Sequence, residues 1–367
     1  MIYQPRVSYY IGGGEIYPLQ IAKFFSKMGH DVSILTTKAK YIKQSDYFKN
    51  FVNQNKNIHI EYLELDLDFK NIYEELPGMN QQRWDKESLW VARKAYEFFL
   101  KNHYDIISVH YVLDALAIPF NCKGVLHLHG APKQISDLCK IVLEKQKNLI
   151  AVSQVVKTKW LDLGVKSNIK ISTNAVDENI FYPKTIFKDI DVLFVGRLIE
   201  IKGVQYLLNA LKKLQKEGLY PKLVIIGDGP FKKELLKLVN NLQIKNQVKF
   251  CGIVSQEMLI HSYQSAKCVV LPSYEKEGIM STLLEAAACR LPIITTKGTS
   301  MAEFTGVNRN ALLVNPCDAD DLCDKIYTIL TNDKLADRIS NNAYDEVIRH
   351  YSWISKSKEL IDIYKRF

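Results

Sequence analysis

Val192-Leu193-Phe194-Val195-Gly196-Arg197 opens the stretch that decides the fold, an apolar, β-branched and aromatic run that exits at a glycine. Beyond it Val204, Leu207, Leu208, Leu211 and Leu214 recur at helical spacing, and Gly218 and Pro221 stop that helix. The next apolar run, Leu223-Val224-Ile225-Ile226-Gly227, completes a strand, helix, strand unit. Such units place parallel strands in one sheet with helices on its faces. Further strand-like runs follow at Val248-Lys249-Phe250, Cys268-Val269-Val270-Leu271, Ile293-Ile294-Thr295 and Leu312-Leu313-Val314.

Working back, the N-terminal half shows the same alternation. Ile2-Tyr3-Gln4 is a short strand that breaks at Pro5 and leads to Gly12-Gly13-Gly14-Glu15. Ile16, Leu19, Ile21, Ala22 and Phe25 then suit a helix ending at Gly29, followed by the strand Val32-Ser33-Ile34-Leu35. This is a Rossmann-like beginning, although Gly-Gly-Gly-Glu does not fit the dinucleotide fingerprint G-x-G-x-x-G. Residues 58–65, Ile106-Ile107-Ser108-Val109, Val125-Leu126-His127-Leu128-His129-Gly130 and Leu149-Ile150-Ala151-Val152-Ser153 read as strands, and 86–102 as a helix. Residues 66–85, with Pro77-Gly78 and Trp84, read as an irregular insertion. A polar break near Tyr182-Pro183 separates the two series. The expectation is therefore α/β, with two Rossmann-like doubly wound domains, 1–182 and 183–351, facing each other across a cleft. The helix 352–367, with no strand after it, would cross back onto the first domain.

Composition narrows the class. At 367 residues the chain is too long for one ordinary core. Hydrophobic content of 47% with 24% charged residues is that of a globular protein, and no apolar run nears eighteen residues. The N-terminus lacks a basic segment followed by an apolar one, so no signal peptide is expected and the compartment reads as cytoplasmic. Seven cysteines, scattered at 122, 139, 251, 268, 289, 317 and 323 without a Cys-x-x-Cys pair, argue against a disulfide framework or a zinc site and favour reducing surroundings. A net charge of +9 favours anionic partners, yet the basic residues are spread along the chain and no nucleic-acid partner is expected. Lys133, Lys140, Lys145 and Lys147 beside Ile135, Leu138, Ile141 and Val142 leave two readings open. One is a basic amphipathic helix resting on the anionic inner membrane face, and the favoured one is a half-buried helix with a solvated lysine face.

Chemistry concentrates at Pro272-Ser273-Tyr274-Glu275-Lys276-Glu277-Gly278-Ile279-Met280-Ser281-Thr282-Leu283-Leu284-Glu285. A loop gives way near Ser281 to a helix, so Glu277 precedes the helix and Glu285 lies about one turn inside. Unpaired N–H groups near Met280, Ser281 and Thr282 would bind an anion. An anion flanked by two carboxylates suits a nucleotide sugar. Thr282-x-x-Glu285 is equally a capping box, in which Glu285 only reaches back to the Thr282 N–H. On the strand ending at Gly130, His127 and His129 share one face, with His129 at the carboxyl-end rim and His127 about 7 Å deeper. His129 is expected to act in turnover and His127 in stability.

Taken in order, Gly12-Gly13-Gly14-Glu15, His129-Gly130, Ser153, Asn174-Ala175-Val176-Asp177, Gly196-Arg197-Leu198 with Lys202-Gly203, Gly227-Asp228-Gly229-Pro230, Phe250-Cys251-Gly252 and Glu277-x7-Glu285 resemble the retaining GT-B glycosyltransferases of family four, also called group one. The resemblance covers nearly the whole chain and is more specific in the second half. It implies that Arg197 and Lys202 hold the donor diphosphate, Glu285 the ribose and Glu277 the donor sugar. Gly278, Ile279, Met280 and Ser281 complete the donor loop, backbone at Ile253 and Val254 lines the base, Gly14 admits the phosphate and His129 contacts the donor sugar. It implies a nucleotide-diphosphate sugar as donor, a saccharide or lipid-linked saccharide as acceptor, and neither cofactor nor metal. The family often carries Glu-Gly-Phe-Gly where this chain has Glu277-Gly278-Ile279-Met280, a difference that bears on the donor more than on the reaction class. An epimerase or phosphorylase of the same fold, or a non-catalytic scaffold, are the competing readings.

Overall fold

The computed structural model describes residues 1–10, 13–39, 42–65, 81–132, 134–275, 281–299, 304–305 and 309–367. The chain divides into two compact units, Met1–Thr173 with Lys356–Phe367, and Asn174–Ser355. The division thus falls at residue 174 and not after Tyr182. Val176 explains the shift, because its N–H donates to Tyr351 O at 2.9 Å and its carbonyl accepts from Trp353 N–H at 3.1 Å, while Phe181 is buried in the second unit's core.

The first unit is built on seven strands: β1 (Ile2–Tyr3), β2 (Ser33–Lys38), β3 (His59–Glu64), β4 (Ile107–Val109), β5 (Gly124–Leu128), β6 (Leu149–Ala151) and β7 (Ile169–Ile171). They lie in the order β3-β2-β1-β4-β5-β6-β7, and every pair is parallel. Strand order reverses between β1 and β4, so their carboxyl ends flank a crevice of the kind in which open α/β sheets bind ligands. The helix Gly13–Lys27 follows β1, and the helix Gln81–Lys101 precedes β4. That helix starts five residues earlier than the sequence pattern suggests, since Arg83 pairs with Glu87 one turn on at 2.8 Å and both are buried. Residues 81–85, Trp84 among them, therefore belong to the helix, and the rest of the expected insertion, residues 66–80, lies outside the described residues. Leu360 and Tyr364, on the final helix Trp353–Arg366, are buried among first-unit residues.

The second unit holds six strands: β8 (Ile190–Val195), β9 (Leu223–Ile226), β10 (Val248–Gly252), β11 (Ala266–Leu271), β12 (Ile293–Thr296) and β13 (Leu312–Val314). Their order is β10-β9-β8-β11-β12-β13, again all parallel, with the reversal between β8 and β11. Val204, Leu207, Leu208, Leu211 and Leu214 are all buried in one core, as their spacing predicts. At the carboxyl edge the loops interlock through their backbones. Gly196 N–H donates to Ile226 O at 3.0 Å, Leu198 N–H to Asp228 O at 2.9 Å, and Gly227 N–H to Gly252 O at 2.8 Å. Two glycines permit this approach: a Cβ at Gly227 (φ +128°) would lie 1.9 Å from Gly196 O, and one at Gly203 (φ +73°) would lie 2.1 Å from Pro272 O.

Gly227→Ala is accordingly expected to cost at least about 2 kcal/mol, because both the backbone conformation and a backbone clash oppose the new methyl. Urea denaturation measures it; an unchanged midpoint would contradict the packing described.

Candidate functional site

In the first unit the strand exits build a cavity of about 610 Å³, lined among others by Gln4, Arg6, Gly14, Glu15, His110 and His129. Gln4 follows β1, His110 follows β4 and His129 follows β5. Trp160 Nε1–H donates to Gly130 O at 2.8 Å and so pins the turn that carries His129. His127 is 1% exposed, and its Nε2 lies 2.7 Å from the Tyr364 hydroxyl, whereas His129 is half-buried and faces the cavity. The strand-end argument thus places both histidines as expected. His110, which the sequence reading passed over, sits between them: its ring stacks on His127 at 4.7 Å and on His129 at 5.3 Å. Burial pushes His129 down to about 4, and holds His110 and His127 well below the usual imidazole range, so all three rings are neutral at pH 7.

A second buried group flanks the histidines. Arg6, 2% exposed, donates from Nη2 to Asp114 Oδ2 at 2.6 Å and from Nη1 to Ser88 Oγ at 3.0 Å; Ser88 Oγ–H donates to Asp114 Oδ1 at 2.6 Å. The Arg6 guanidinium also lies 5.0 Å from the centre of the Tyr111 ring, and the Tyr111 hydroxyl donates to Asp85. Glu15 lines the same cavity. Burial pushes its carboxyl up to about 7, against the pull of Arg6. Nothing in the spacing of residues 6, 88 and 114 signals this assembly, since their contacts span 82 and 108 positions.

In the second unit Arg197 follows β8 directly, is exposed, and makes no ion pair among the described residues. Lys202 is half-buried in the short 3₁₀ turn Glu200–Lys202, braced where Tyr274 N–H donates to Ile201 O at 3.1 Å. Ile253 is 86% exposed just past β10, while Val254 packs against the core. Glu285 stands one turn into the helix Ser281–Ala288, as the sequence implies. Its carboxylate does not form the capping box: it accepts from the Tyr263 hydroxyl at 2.9 Å and from the Ser281 side chain. Thr282 is already inside the helix rather than at its cap, and its Oγ1 is buried without a hydrogen-bond partner among the described residues. Tyr263 is a second residue that the sequence reading missed. Glu277, Gly278, Ile279 and Met280 lie outside the described residues. Two other motifs are structural, Ser153 capping the helix Gln154–Asp162 and Asp228 pairing with Lys232 at 2.9 Å.

For the lysine-bearing segment, the helix Asp137–Lys145 buries Cys139, Val142 and Leu143, leaves Ile141 exposed and pairs Lys140 with Asp137 at 2.9 Å. No helix among the described residues is long and apolar enough to cross a membrane.

Burial pushes the Glu285 carboxyl up to about 7, with the Tyr263 and Ser281 hydrogen bonds working against the rise. A raised folded-state value means that the native state binds the proton more tightly than the unfolded one, so stability falls as pH rises from about 4.5 through 7. Melting temperatures of wild type and Glu285→Gln should diverge over that window, the variant gaining on the wild type as pH rises. A constant difference would contradict the burial described.

Residues 11–180 match the family Glycosyltransferase Family 4, and residues 176–346 match Glycosyl transferases group 1, so the two matches together run through most of the chain. An uncharacterized glycosyltransferase of Methanocaldococcus jannaschii is 35% identical over 47% of this chain and 44% of its own length. Alpha-D-kanosaminyltransferase of Streptomyces kanamyceticus is 29% identical over 47% and 45%, so the matched segment spans less than half the length of these two relatives. N-acetyl-alpha-D-glucosaminyl L-malate synthase of Bacillus anthracis is 22% identical over 97% of this chain and 93% of its own. Among solved structures, Anabaena HepE in complex with UDP superposes with a TM-score of 0.76 at 20% identity, covering 100% of this chain and 99% of that one. At that identity the likeness speaks to the fold, which is GT-B. With both halves matched, the chain belongs to the group 1 glycosyltransferases of family four.

Proposed function

We propose that the chain moves a sugar from a nucleotide-diphosphate sugar to an acceptor hydroxyl with retention of anomeric configuration. The observation that carries this is the pair of cations in the loop that leaves β8 at the carboxyl edge of the second sheet, Arg197 exposed and Lys202 half-buried, in the same unit as the half-buried Glu285. As the bond from the anomeric carbon to the diphosphate oxygen breaks, its electron pair stays on the diphosphate. A guanidinium and an ammonium held by rigid loops offset that growing charge, in the role a divalent ion would otherwise take. Glu285 accepts from ribose hydroxyls, backbone at Ile253 and Val254 lines the base, and Ser281 N–H at the helix start meets the anion. Glu277, with Gly278, Ile279 and Met280, keeps its assigned part against the donor sugar.

Two features of the first unit support its share of the reaction. A Cβ at Gly14 would meet no atom of the described residues within 4 Å beyond its own chain neighbours, which leaves room for a phosphate at the helix start. The cavity is lined by Tyr10, Trp84 and Tyr111 together with Glu15 and Asp85, a set suited to the apolar and hydroxyl faces of a saccharide acceptor, free or lipid-linked. His129 would contact the donor sugar and position it.

Incubation with a panel of nucleotide sugars and saccharide acceptors tests the reading, with the product's anomeric configuration read by NMR. Retention is expected, and inversion would exclude this mechanism. Arg197→Ala and Lys202→Ala should each lose about 2–5 kcal/mol of transition-state stabilisation in kcat/KM for the donor. EDTA should leave turnover unchanged. Normal turnover in both variants, or loss on chelation with rescue by a divalent ion, would overturn the assignment of the diphosphate to these side chains.

A further inference from the structure

The first unit contains a continuous buried chain of hydrogen-bonding groups that ends at the cavity. His127 Nε2 lies 2.7 Å from Tyr364 Oη, and Tyr364 Oη lies 3.2 Å from Ser108 Oγ. Ser108 Oγ lies 3.1 Å from His110 Nε2, and His110 Nδ1 lies 3.0 Å from His129 Nε2. Each link has one hydrogen, so the chain carries a polarity, and either polarity is internally consistent. In one, hydrogens point from His127 toward His129; in the other, all are reversed.

The far end of the chain decides between them. His127 Nδ1 is buried and has no hydrogen-bond partner among the described residues. If Tyr364 donated to His127 Nε2, the neutral His127 ring would carry its hydrogen on Nδ1, leaving a buried N–H with no acceptor. If instead His127 Nε2–H donates to Tyr364, the orphan is only a lone pair. Buried N–H groups are more rarely left unpaired than acceptors are. Tyr364 then donates to Ser108, and Ser108, whose hydrogen has no other acceptor, donates to His110 Nε2. His110 must therefore hold its hydrogen on Nδ1 and give it to His129 Nε2. The ring of Tyr17, packed edge-on at 4.9 Å from His129 and 5.9 Å from His110, limits rotation of both imidazoles.

We infer that His110 is a positioning residue, which fixes His129 in the tautomer that presents Nδ1–H to the cavity, with Ser108 and Tyr364 fixing His110 in turn. His129 then recognises its ligand as a hydrogen-bond donor, and the group it meets is an acceptor oxygen, such as a sugar hydroxyl or a phosphoryl oxygen. The effect on turnover rests on the glycosyltransferase reading above; the tautomer does not.

Nitrogen-15 NMR of the histidine-labelled full chain at pH 7 tests the inference without any substrate. The expected spectrum shows His129 protonated at Nδ1 with Nε2 bare, assigned by its loss in His129→Gln. In His110→Phe, which keeps a ring and removes the donor, His129 should pass to a mixture of tautomers, with kcat down about tenfold or more and the donor KM within about twofold. Where His110→Phe does not fold, Ser108→Ala removes the donor to His110 Nε2 and should release the same preference. An Nε2-protonated His129 in the wild type overturns the inference, as does a variant that keeps the Nδ1–H form. If the tautomer shifts as expected and no nucleotide sugar is turned over, the positioning stands and the assigned reaction fails.

Discussion

Both sheets are parallel throughout, and that single constraint governs where chemistry can occur. A parallel strand covered on both faces seals what lies along it, as it does Ser108 and His127, so polar side chains open to a ligand are found where strands end and backbone groups lose their ladder partners. In the first unit β1, β4 and β5 end at Gln4, His110 and His129; in the second, β8 ends at Gly196-Arg197 and β10 just before Ile253. The strand reversal next to β1 and β8 opens these ends to ligands. The same constraint explains the glycines of the motifs. Loops leaving neighbouring parallel strands approach one another closely, and Gly203 and Gly227 let backbone meet backbone so that Arg197 and Lys202 are held on a rigid edge.

The two units handle charge differently. The first buries it: the Arg6 and Asp114 pair is sealed by Ser88, and removing one partner of such a pair typically costs about 3–5 kcal/mol because the other charge is stranded. Around that pair, burial keeps the three histidines neutral and pushes Glu15 up to about 7, so the imidazoles of this cavity act as hydrogen-bonding groups rather than as charges. The second unit leaves Arg197 exposed and unpaired among the described residues, the state suited to meeting an anion from solution.

Local pattern revealed what is local. The apolar periodicity of 204–214, the strand ends at residues 129 and 196, and the placement of Glu285 one turn into its helix could all be read because each depends on residues a few positions apart. What escaped was set by contacts across long stretches. His110 gains its importance from His129, nineteen positions on, and Tyr364 from Ser108, 256 positions back. Glu285 looked like half of a capping box because Thr282 stands three residues earlier, yet Tyr263, 22 positions away, claims the carboxylate. The domain boundary was misplaced for the same reason. The polar break at Tyr182-Pro183 suggests a boundary there, but the hydrogen bonds of Val176 with Tyr351 and Trp353 have already committed the chain to the second unit.

The central claim is that the carboxyl edge of the second sheet holds a nucleoside diphosphate. Hydrogen–deuterium exchange of the full chain with UDP, GDP or ADP added tests it most directly, because amides that bind or bury beneath the ligand slow their exchange. The account predicts that one of these nucleotides protects segments 196–203 and 281–285 together. Protection confined to the first unit's cavity, with neither of those segments changed by any nucleotide, would contradict it.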